Sequence, residues 1–520
     1  MLGTRTRVQP SPGTTILLYV GLAAAIWLVR GWIVAGALGN VRLLVVGFVL
    51  LGVTGVVLGD WRKGLYPFLA WLLFEDLIRK YMGNNMWIYF GKDVLVGIVY
   101  LSILRGRSQG EIPIFRPSFL APLGLFFGLG FAQMFNPGSP SILYGILGVK
   151  LYFYYIPLMF VGYALLREEA DLHRFLIINM GIAGPIASLG IMQSILGLNF
   201  LNPKAGADID DLGHLTRYTP LGIAVTRPPS VFVSDGRFAF YLILAFIIGL
   251  GAAGYLLLRT RRGRKVVFPA VALVGLAAMM SGSRGCVVYV AATALFLSAG
   301  MLWGAPPRRA EAYRLFKAIR RTFIVVALSL SLGAALFPQA IGARAAFYTE
   351  TLDPRSPTYE VPFRAWDYPV RNLSLAFTDP DWPIGHGIGT QSLGVQYVAR
   401  LAGGAANASL PQMFLEEGYA NLITELGILG PLLWLGWTLS FIYAAGKAAL
   451  RVKGTATFPV ALSILWFGFL LLFPFTFGGL SPYQNFVLNA YFWLLAGVLF
   501  RLPTLGKQNS FQLAERIPSR

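Results

Sequence analysis

The sequence predicts an all-α polytopic membrane protein with about fourteen transmembrane helices and a large external helical loop. Of its 520 residues, 56% are hydrophobic and 13% are charged, and the mean hydropathy is +0.63. A soluble chain carries roughly 25% charged residues and could not keep this much apolar surface in water. Intrinsic disorder is excluded as well, because too few residues are polar.

A membrane helix needs about 20 mainly apolar residues, and fourteen segments come close to that requirement. They are 15–33, 41–59, 65–78, 87–104, 117–135, 141–166, 175–197, 238–258, 266–281, 285–303, 322–340, 419–446, 457–475 and 485–500. The segment 65–78 is the weakest, because it is short and carries Glu75 and Asp76. No convincing cleavage site follows the first segment, so we interpret it as a helix and not as a signal peptide.

The net charge of +20 comes from short basic clusters between apolar segments, for example 259–265 and 308–321. That pattern is typical of cytoplasmic loops and not of one nucleic-acid-binding surface. The distribution of lysine and arginine predicts that both termini are cytoplasmic. The single cysteine, Cys286, permits no internal disulfide, and three scattered histidines predict no metal site.

The chain therefore divides into membrane and external parts. We expect N-terminal transmembrane helices in 1–197, a first external loop at 198–237, central transmembrane helices in 238–340, a large external loop at 341–418, C-terminal transmembrane helices in 419–500 and a cytoplasmic tail at 501–520. The large loop is too long for a simple connection, and its prolines alternate with aromatic residues. We expect a folded cap with short helices. Trp366, Tyr368, Phe377 and Trp382 could stack on sugar rings, but we expect most of them to fill a small core.

Arginines in the external parts oppose the positive-inside rule. They are Arg217, Arg227, Arg237, Arg284, Arg344, Arg355, Arg364, Arg371 and Arg400. Any one of them could simply contact lipid headgroups or a local carboxylate. Together they predict a polyanion site, because the planar guanidinium binds phosphate oxygens in pairs. Arg284 is the strongest candidate, since it lies between two apolar spans. Lys150 is a further candidate, whereas Lys92 and Asp93 are explained more simply by an internal ion pair.

Four stretches in a fixed order carry a resemblance. They are RPPSVF at 227–232 with GRFA at 236–239, SRG at 283–285, RAW at 364–366 with PIGHGIGT at 383–390, and EEGY at 416–419 with ELGILG at 425–430. Over roughly residues 220–440 the chain resembles the O-antigen ligase/polymerase family of bacterial envelope enzymes. The ligase branch has a histidine where this chain has Glu416, and a carboxylate there is more similar to the exopolysaccharide polymerases.

The resemblance implies a C-type glycosyltransferase fold that uses undecaprenyl-diphosphate-linked glycans at the outer face of the bacterial inner membrane. A polymerase would transfer the growing glycan onto a lipid-linked repeat unit. The alternatives are a ligase that transfers the glycan to a different lipid or protein acceptor, and a flippase for lipid-linked oligosaccharides. The implied partners are the lipid-linked donor and acceptor, membrane lipids and, as a further candidate, a chain-length regulator. No cofactor, metal or nucleic acid is expected.

The same resemblance implies roles for individual residues. Arg284 and Arg364 would bind the diphosphate, with Arg227, Arg237 and Lys150 as additional contacts, and Glu416 would be the general base. Glu417 replaces Glu416 if the motif is shifted by one residue. An acidic residue in a first helical turn also simply favours the helix dipole.

The glycine-rich turn at 385–389 also has two interpretations. Its amides, at Gly387 and Gly389, could bind phosphate, or its glycines could serve a tight turn. Glu425, inside the following span, is expected to be an internal hydrogen-bonding partner.

Overall fold

The computed structural model describes residues 38–82, 86–108, 115–203, 215–218, 224–259, 262–304, 338–356, 361–391 and 417–515, with isolated positions between some of these ranges. The described chain is mainly helical and contains one short hairpin. The N-terminal part consists of α1 (Leu38–Gly59), α2 (Trp61–Tyr81), α3 (Met86–Ser108), α4 (Leu120–Gln133), α5 (Ile142–Phe153), α6 (Leu158–Leu165) and α7 (Glu169–Leu196).

The hairpin precedes the central helices. It pairs β1 (Thr216–Tyr218) with β2 (Ala224–Thr226) in antiparallel register, with Arg217 opposite Val225. It lies in the first external loop, where no strand was predicted. The central helices are α8 (Asp235–Leu258), α9 (Arg264–Met280) and α10 (Arg284–Trp303).

The C-terminal part begins with the segment that was predicted to form the large external loop. It contains α11 (Pro338–Leu352), a π-helical turn at Phe363–Asp367, α12 (Tyr368–Ala376), α13 (Gly418–Leu426), α14 (Leu429–Arg451), α15 (Phe458–Leu472), the short helices α16 (Pro474–Phe477) and α17 (Ser481–Gln484), and α18 (Phe486–Glu515). The short helices α11 and α12 agree with the expected helical cap. Helix α18 continues well beyond residue 500, where a tail was expected to begin.

Seven helices of the described chain are long and apolar enough to cross a membrane. They cover Ile142–Leu165, Glu169–Leu196, Asp235–Leu258, Arg284–Trp303, Leu429–Arg451, Phe458–Phe477 and Phe486–Leu505, and each overlaps a predicted span. The spans predicted at 41–59, 65–78, 87–104, 117–135 and 266–281 are also helical, but they fall below that standard in described length or apolar character. The predicted span 15–33 and most of 322–340 lie outside the described residues, so the number fourteen remains a prediction.

One predicted span is wrong in its extent. The segment 419–446 is divided by Gly427, whose φ of +70° ends α13. A Cβ at Gly427 would lie 2.3 Å from the carbonyl oxygen of Pro383, so glycine allows this close approach. Helix α13 consequently packs against α12 of the external segment, and the apolar span begins only at Leu429.

The core is built around α18 and α8. Helix α18 packs closely on α6, where glycines replace side chains at the contact: a Cβ at Gly162 would lie 1.9 Å from the Leu494 carbonyl oxygen. Close approach through small residues is the usual way in which membrane helices pack. Helix α8 lies between α9, α10 and α15 and is buried along most of its length. The N-terminal end of this buried helix carries the charged site.

Candidate anion-binding site

The segment between β2 and α8 is fixed by hydrogen bonds to α7. Ser230 is fully buried and has a φ of +52°, an uncommon conformation for a residue other than glycine. Its amide donates to Gln193 Oε1 at 2.8 Å, and its hydroxyl donates to the Ile186 carbonyl oxygen at 2.7 Å. Lys80 of α2 donates to the Ser230 carbonyl oxygen at 3.3 Å. These contacts determine where Arg227, before the turn, and Arg237, after it, project.

Arg227 lies against the connection between α9 and α10. Gly282 of that connection has a φ of +65°, and a Cβ there would be 3.0 Å from Arg227 Cγ. The guanidinium pairs with Asp235, the first residue of α8, at 2.8 Å. Burial lowers the pKa of Arg227, Asp235 opposes this, and the like charges of Arg217 and Arg284 lower the pKa further. Arg227 and Arg284 are therefore electrostatic neighbours.

Arg284 begins α10. Ser283 caps the helix by accepting a hydrogen bond from the Cys286 amide at 3.3 Å, so the SRG stretch is a helix start. The Arg284 guanidinium carbon lies 4.9 Å from the centre of the Phe347 ring on α11, a cation–π distance.

A third arginine, Arg344 of α11, connects the same elements. It is 4% exposed and donates from Nε to the Met280 carbonyl oxygen at 2.9 Å. Its Nη2 donates to the Thr226 hydroxyl at 2.9 Å and to the Thr226 carbonyl oxygen at 3.1 Å. Arg344 thereby holds β2 and α11 against the end of α9. We refer to Arg227, Arg284 and Arg344 as the arginine group. Sequence reasoning noticed Arg344 among the external arginines but gave it no role.

A second charged cluster lies between the first turn of α8 and helix α2. Arg237 pairs with Asp76 of α2 through both carboxylate oxygens, at 2.8 and 3.1 Å, and Arg79 donates to the same carboxylate at 2.8 Å. Glu75 lies 3.6 Å from Arg79 and 3.5 Å from Lys92 of α3. We call Glu75, Asp76, Arg79, Lys92 and Arg237 the buried ionic network. Apart from Arg237, its side chains are at most 1% exposed.

Lys150 adjoins this network through a shared aromatic ring. Its ammonium pairs with Asp93 of α3 at 2.5 Å and lies 4.6 Å from the centre of the Tyr89 ring, on which Lys92 also packs. Lys92 and Asp93 thus form internal ion pairs, as expected, but with Glu75 and Lys150 and not with each other.

Cations outnumber carboxylates across the two clusters. Ion pairs join Arg79, Lys92, Lys150, Arg227 and Arg237 to Glu75, Asp76, Asp93 and Asp235. Lys80, Arg284 and Arg344 lie beside them, and the only further buried carboxylate on α11 is Glu350. This end of the bundle therefore carries an excess of positive charge suited to an anion. The sequence showed Asp76 in an apolar segment without indicating its role, although charged residues in such a segment are a functional signal, and Asp235 was not predicted to take part.

The two candidate bases, Glu416 and Glu417, directly precede α13 in the sequence. Glu416 lies outside the described residues. Glu417 is the N-cap of α13: its carboxylate accepts hydrogen bonds from the amides of Tyr419 at 2.9 Å and Ala420 at 2.6 Å. Burial raises the pKa of Glu417 and the two amides oppose this, so that the pKa is raised to about 7. A buried carboxylate with a pKa near neutrality can accept a proton under ordinary conditions.

Helix α16 connects the start of α13 to the arginine end of the bundle. A Cβ at Gly418 would lie 2.1 Å from the Thr476 carbonyl oxygen, so the two backbones touch. The neighbouring Phe475 ring is 4.7 Å from Tyr289 of α10 and 5.2 Å from Phe240 of α8. Tyr289 and Phe240 lie within two turns of Arg284 and Arg237, respectively. Glu417 is therefore at the same end of the bundle as both charged clusters.

Arg364 lies in a different setting from Arg227 and Arg284. It is in the π-helical turn before α12, its side chain is exposed, and its guanidinium carbon is 5.2 Å from the Tyr368 ring centre. The expected aromatic core of this segment is only partly present. Trp382 packs on the cluster of Ala376, Ala420 and Ile423, but Trp366 and Phe377 are exposed, so their placement in a core was wrong.

The glycine-rich turn packs between helices. A Cβ at Gly389 would lie 2.2 Å from the Tyr144 carbonyl oxygen, and one at Gly387 would lie 3.2 Å from the Gln133 carbonyl oxygen. Both glycines have positive φ, and the Gly387 amide donates to the Glu425 carbonyl oxygen at 3.0 Å. These contacts favour the packing interpretation. The Gly387 amide already donates a hydrogen bond within the protein. Glu425 accepts hydrogen bonds from Tyr152 and the Gln391 amide, which confirms its internal role.

One group of ligand-type side chains occurs near this turn among the described residues. His386 Nε2 lies 2.6 Å from Asp379, and His386 Nδ1 lies 3.7 Å from Asp381; one ligand-type atom from each residue falls within 4.8 Å of the others. Asp379 is buried, and it also accepts a hydrogen bond from the Asp381 amide. The imidazole and this amide account for its burial without a metal ion.

Comparisons of the chain with protein-family models, with curated proteins and with solved structures gave no match.

Proposed function

We propose that this protein is a polysaccharide polymerase of the O-antigen ligase/polymerase type. It would transfer a growing undecaprenyl-diphosphate-linked glycan onto a lipid-linked repeat unit at the outer face of the bacterial inner membrane. The observation that carries the proposal is the meeting of Arg227, Arg284 and Arg344 around Gly282, at one end of an apolar helical bundle. A basic site at a helix end suits a lipid-bound diphosphate, whose apolar tail stays in the membrane.

The reaction needs two kinds of group. The acceptor hydroxyl forms a new bond to the anomeric carbon of the donor sugar while the bond from that carbon to the diphosphate oxygen breaks. The electron pair of the broken bond leaves with the diphosphate, and the hydroxyl proton passes to a base. Preorganised arginines stabilise the charge that develops on the leaving group. A single such contact is worth about 10²–10³-fold in rate.

The roles follow from position and chemistry. Arg284 and Arg227 bind the diphosphate, and Arg344 positions them by holding β2 against the end of α9. Glu416 is the general base implied by the resemblance. Glu417 is the alternative, supported by its burial, its pKa of about 7 and its location at the same end of the bundle. Arg364, on the exposed segment before α12, contacts the diphosphate from outside.

The experiment is a transfer assay with the purified full-length chain in lipid nanodiscs and synthetic undecaprenyl-diphosphate-linked oligosaccharide. We expect a ladder of product lengths, and Arg284→Ala should lower turnover about 10²–10³-fold. Glu416→Gln and Glu417→Gln, tested in parallel, identify the base, because only the catalytic carboxylate should be indispensable. Arg355→Ala, an exposed arginine of the same external segment, is the matched control and should leave the rate unchanged.

Other results would assign the chain differently. A single transfer to a different lipid or protein acceptor would make it a ligase. Transbilayer movement of the lipid-linked oligosaccharide without a transferred product would make it a flippase. A normal rate in Arg284→Ala would remove the diphosphate role from the arginine group.

A further inference from the structure

An exposed row of apolar side chains runs along the external segment 361–384. It consists of Phe363, Trp366, Val370, Phe377 and Ile384, which we call the exposed row. Trp366 and Ile384 are 66% and 69% exposed, unusually high values for large apolar residues. Monomeric proteins rarely leave such residues grouped unless they contact something apolar.

The exposed row is separate from the face that packs on the protein. Helix α12 buries Pro369, Asn372 and Ala376, and Ala376 contacts Ala420 and Ile423 of α13. That contact accounts for one apolar face of the segment. Within the exposed row, Phe377 packs on Trp382 with ring centres 5.3 Å apart, whereas Phe363, Trp366, Val370 and Ile384 are between 43% and 69% exposed.

The end of the exposed row is attached to a surface that already faces outward. Gln133 at the end of α4 donates to the Ile384 carbonyl oxygen at 2.7 Å, and Asn136 donates to the Gly385 carbonyl oxygen at 2.8 Å. Helix α4 is apolar, and its side chains Leu125 and Phe131 are exposed, as is Phe135 just after the helix. In a membrane protein, such a surface contacts lipid. Ile384 therefore lies at the level where this lipid-facing surface ends.

Two arginines accompany the exposed row, together with three aspartates, Asp367, Asp379 and Asp381. Arg364 follows Phe363 and Arg371 follows Val370, and both arginines are exposed. Tryptophan and arginine beside apolar residues are the composition of segments that lie in the membrane interface, where the ring meets the acyl chains and the guanidinium meets phosphate.

We propose that the segment 361–384 lies in the headgroup region of the leaflet at this end of the bundle. Phe363, Trp366, Val370, Phe377 and Ile384 would enter the apolar boundary, while Arg371 contacts lipid phosphates. The occupant of the exposed row is the bilayer surface that surrounds the chain. The proposal concerns membrane contact alone and does not depend on the reaction that the protein catalyses.

The test uses the fact that Cys286 is the only cysteine. In a Cys286→Ala background, single cysteines at Trp366, Val370, Arg355 and Phe131 are spin-labelled in nanodiscs of phosphatidylcholine and phosphatidylglycerol. Accessibility to oxygen, which concentrates in lipid, is compared with accessibility to a water-soluble nickel complex. Labels at 366 and 370 should favour oxygen and give depths near the phosphate level. The label at 131 serves as the lipid reference, and the label at 355 as the water reference.

Labels at 366 and 370 that match the label at 355 would overturn the proposal, because the segment would then stand clear of the membrane. A second measurement covers the case in which the Cys286→Ala background does not fold. Hydrogen–deuterium exchange of the unaltered chain should be slower for peptides covering 363–377 in nanodiscs than in detergent without phospholipid. Equal exchange in the two media would also contradict the proposal.

Discussion

The arginine group and the buried ionic network lie at the same end of the bundle, yet their charges are arranged differently. In the network each carboxylate lies between cations: Asp76 accepts from both Arg79 and Arg237, and Glu75 lies between Arg79 and Lys92. In the arginine group, much of the hydrogen bonding goes to neutral oxygens, as with Arg344 on Thr226 and Met280. In the network two carboxylates are shared among three cations, whereas in the arginine group Arg227 has its own carboxylate partner, Asp235, and Arg344 donates to neutral oxygens.

The difference separates two uses of charge at a membrane boundary. A network of shared carboxylates in a low-dielectric interior is sensitive to the loss of any member, because the partner is left charged and buried. Guanidinium groups gathered at one end of the bundle can attract an anionic ligand. We therefore expect substitutions in the network to affect folding first, and substitutions of Arg227 and Arg284 to affect anion binding and turnover first.

The largest expected effect is that of Asp76→Asn. This change leaves Arg79 and Arg237 charged without the carboxylate that both share, and breaking a buried pair typically costs about 3–5 kcal/mol. Thermal unfolding in detergent, followed by loss of the monodisperse peak in size-exclusion chromatography, measures the effect. Asp381→Asn is the control, since Asp381 is a mostly exposed carboxylate. Equal melting temperatures for the two variants would place Asp76 outside any structural network.

A smaller effect is expected for Gly282→Ala. The φ of +65° disfavours a side chain, and the added Cβ would lie 3.0 Å from Arg227 Cγ, from Thr226 O and from Val225 Cγ1. Strain of this kind costs about 1–3 kcal/mol. It should also lower pyrophosphate affinity, because Arg227 and Arg284 meet at this connection. Gly436→Ala, where nothing lies within 4 Å of the added Cβ, gives the baseline in both the melting and the binding measurements.

The sequence was sufficient for features that depend on local composition and not for those that depend on three-dimensional pairing. The apolar segments that the structure describes are helical, and the span predicted at 285–303 matches the helix Arg284–Trp303 that Ser283 caps. The break at Gly427 was missed, because a contact with the Pro383 carbonyl oxygen, over 40 residues earlier, requires it. The partner of Arg237 was missed for the same reason: Asp76 is on a helix far away in the chain.

Asp235→Asn should raise the affinity for an anion by a moderate amount. Asp235 pairs with Arg227 at 2.8 Å, so it competes with an anion for that guanidinium. Removing the charge should raise the affinity for inorganic pyrophosphate roughly threefold to tenfold, a range in line with ordinary charge-pair energies. The loss of an acidic residue from the first turn of α8 costs only about 0.3–1 kcal/mol of stability. Isothermal titration of the purified protein measures the affinity, and a decrease would show that Asp235 is needed to hold Arg227 in place.

The smallest effect, a change in pH dependence, is expected for Glu417→Gln. Burial raises the pKa of Glu417 to about 7 from an ordinary 4.5, so between these values the folded state holds a proton that the unfolded state has lost. Stability contributed by this group therefore falls as the pH rises through that range, and the dependence ends above about pH 7. The glutamine variant does not titrate.

The melting temperature of the wild-type protein minus that of Glu417→Gln should consequently decrease from about pH 5 to pH 7 and then level off. Glu168→Gln, which changes an exposed N-cap carboxylate of α7, measures what a lost cap costs without burial. A difference that rises with pH would mean that the ionised form of Glu417 is stabilised in the folded protein. That result would remove the physical basis for a base at this position, because such a carboxylate would hold no proton near neutral pH and would be a weak acceptor.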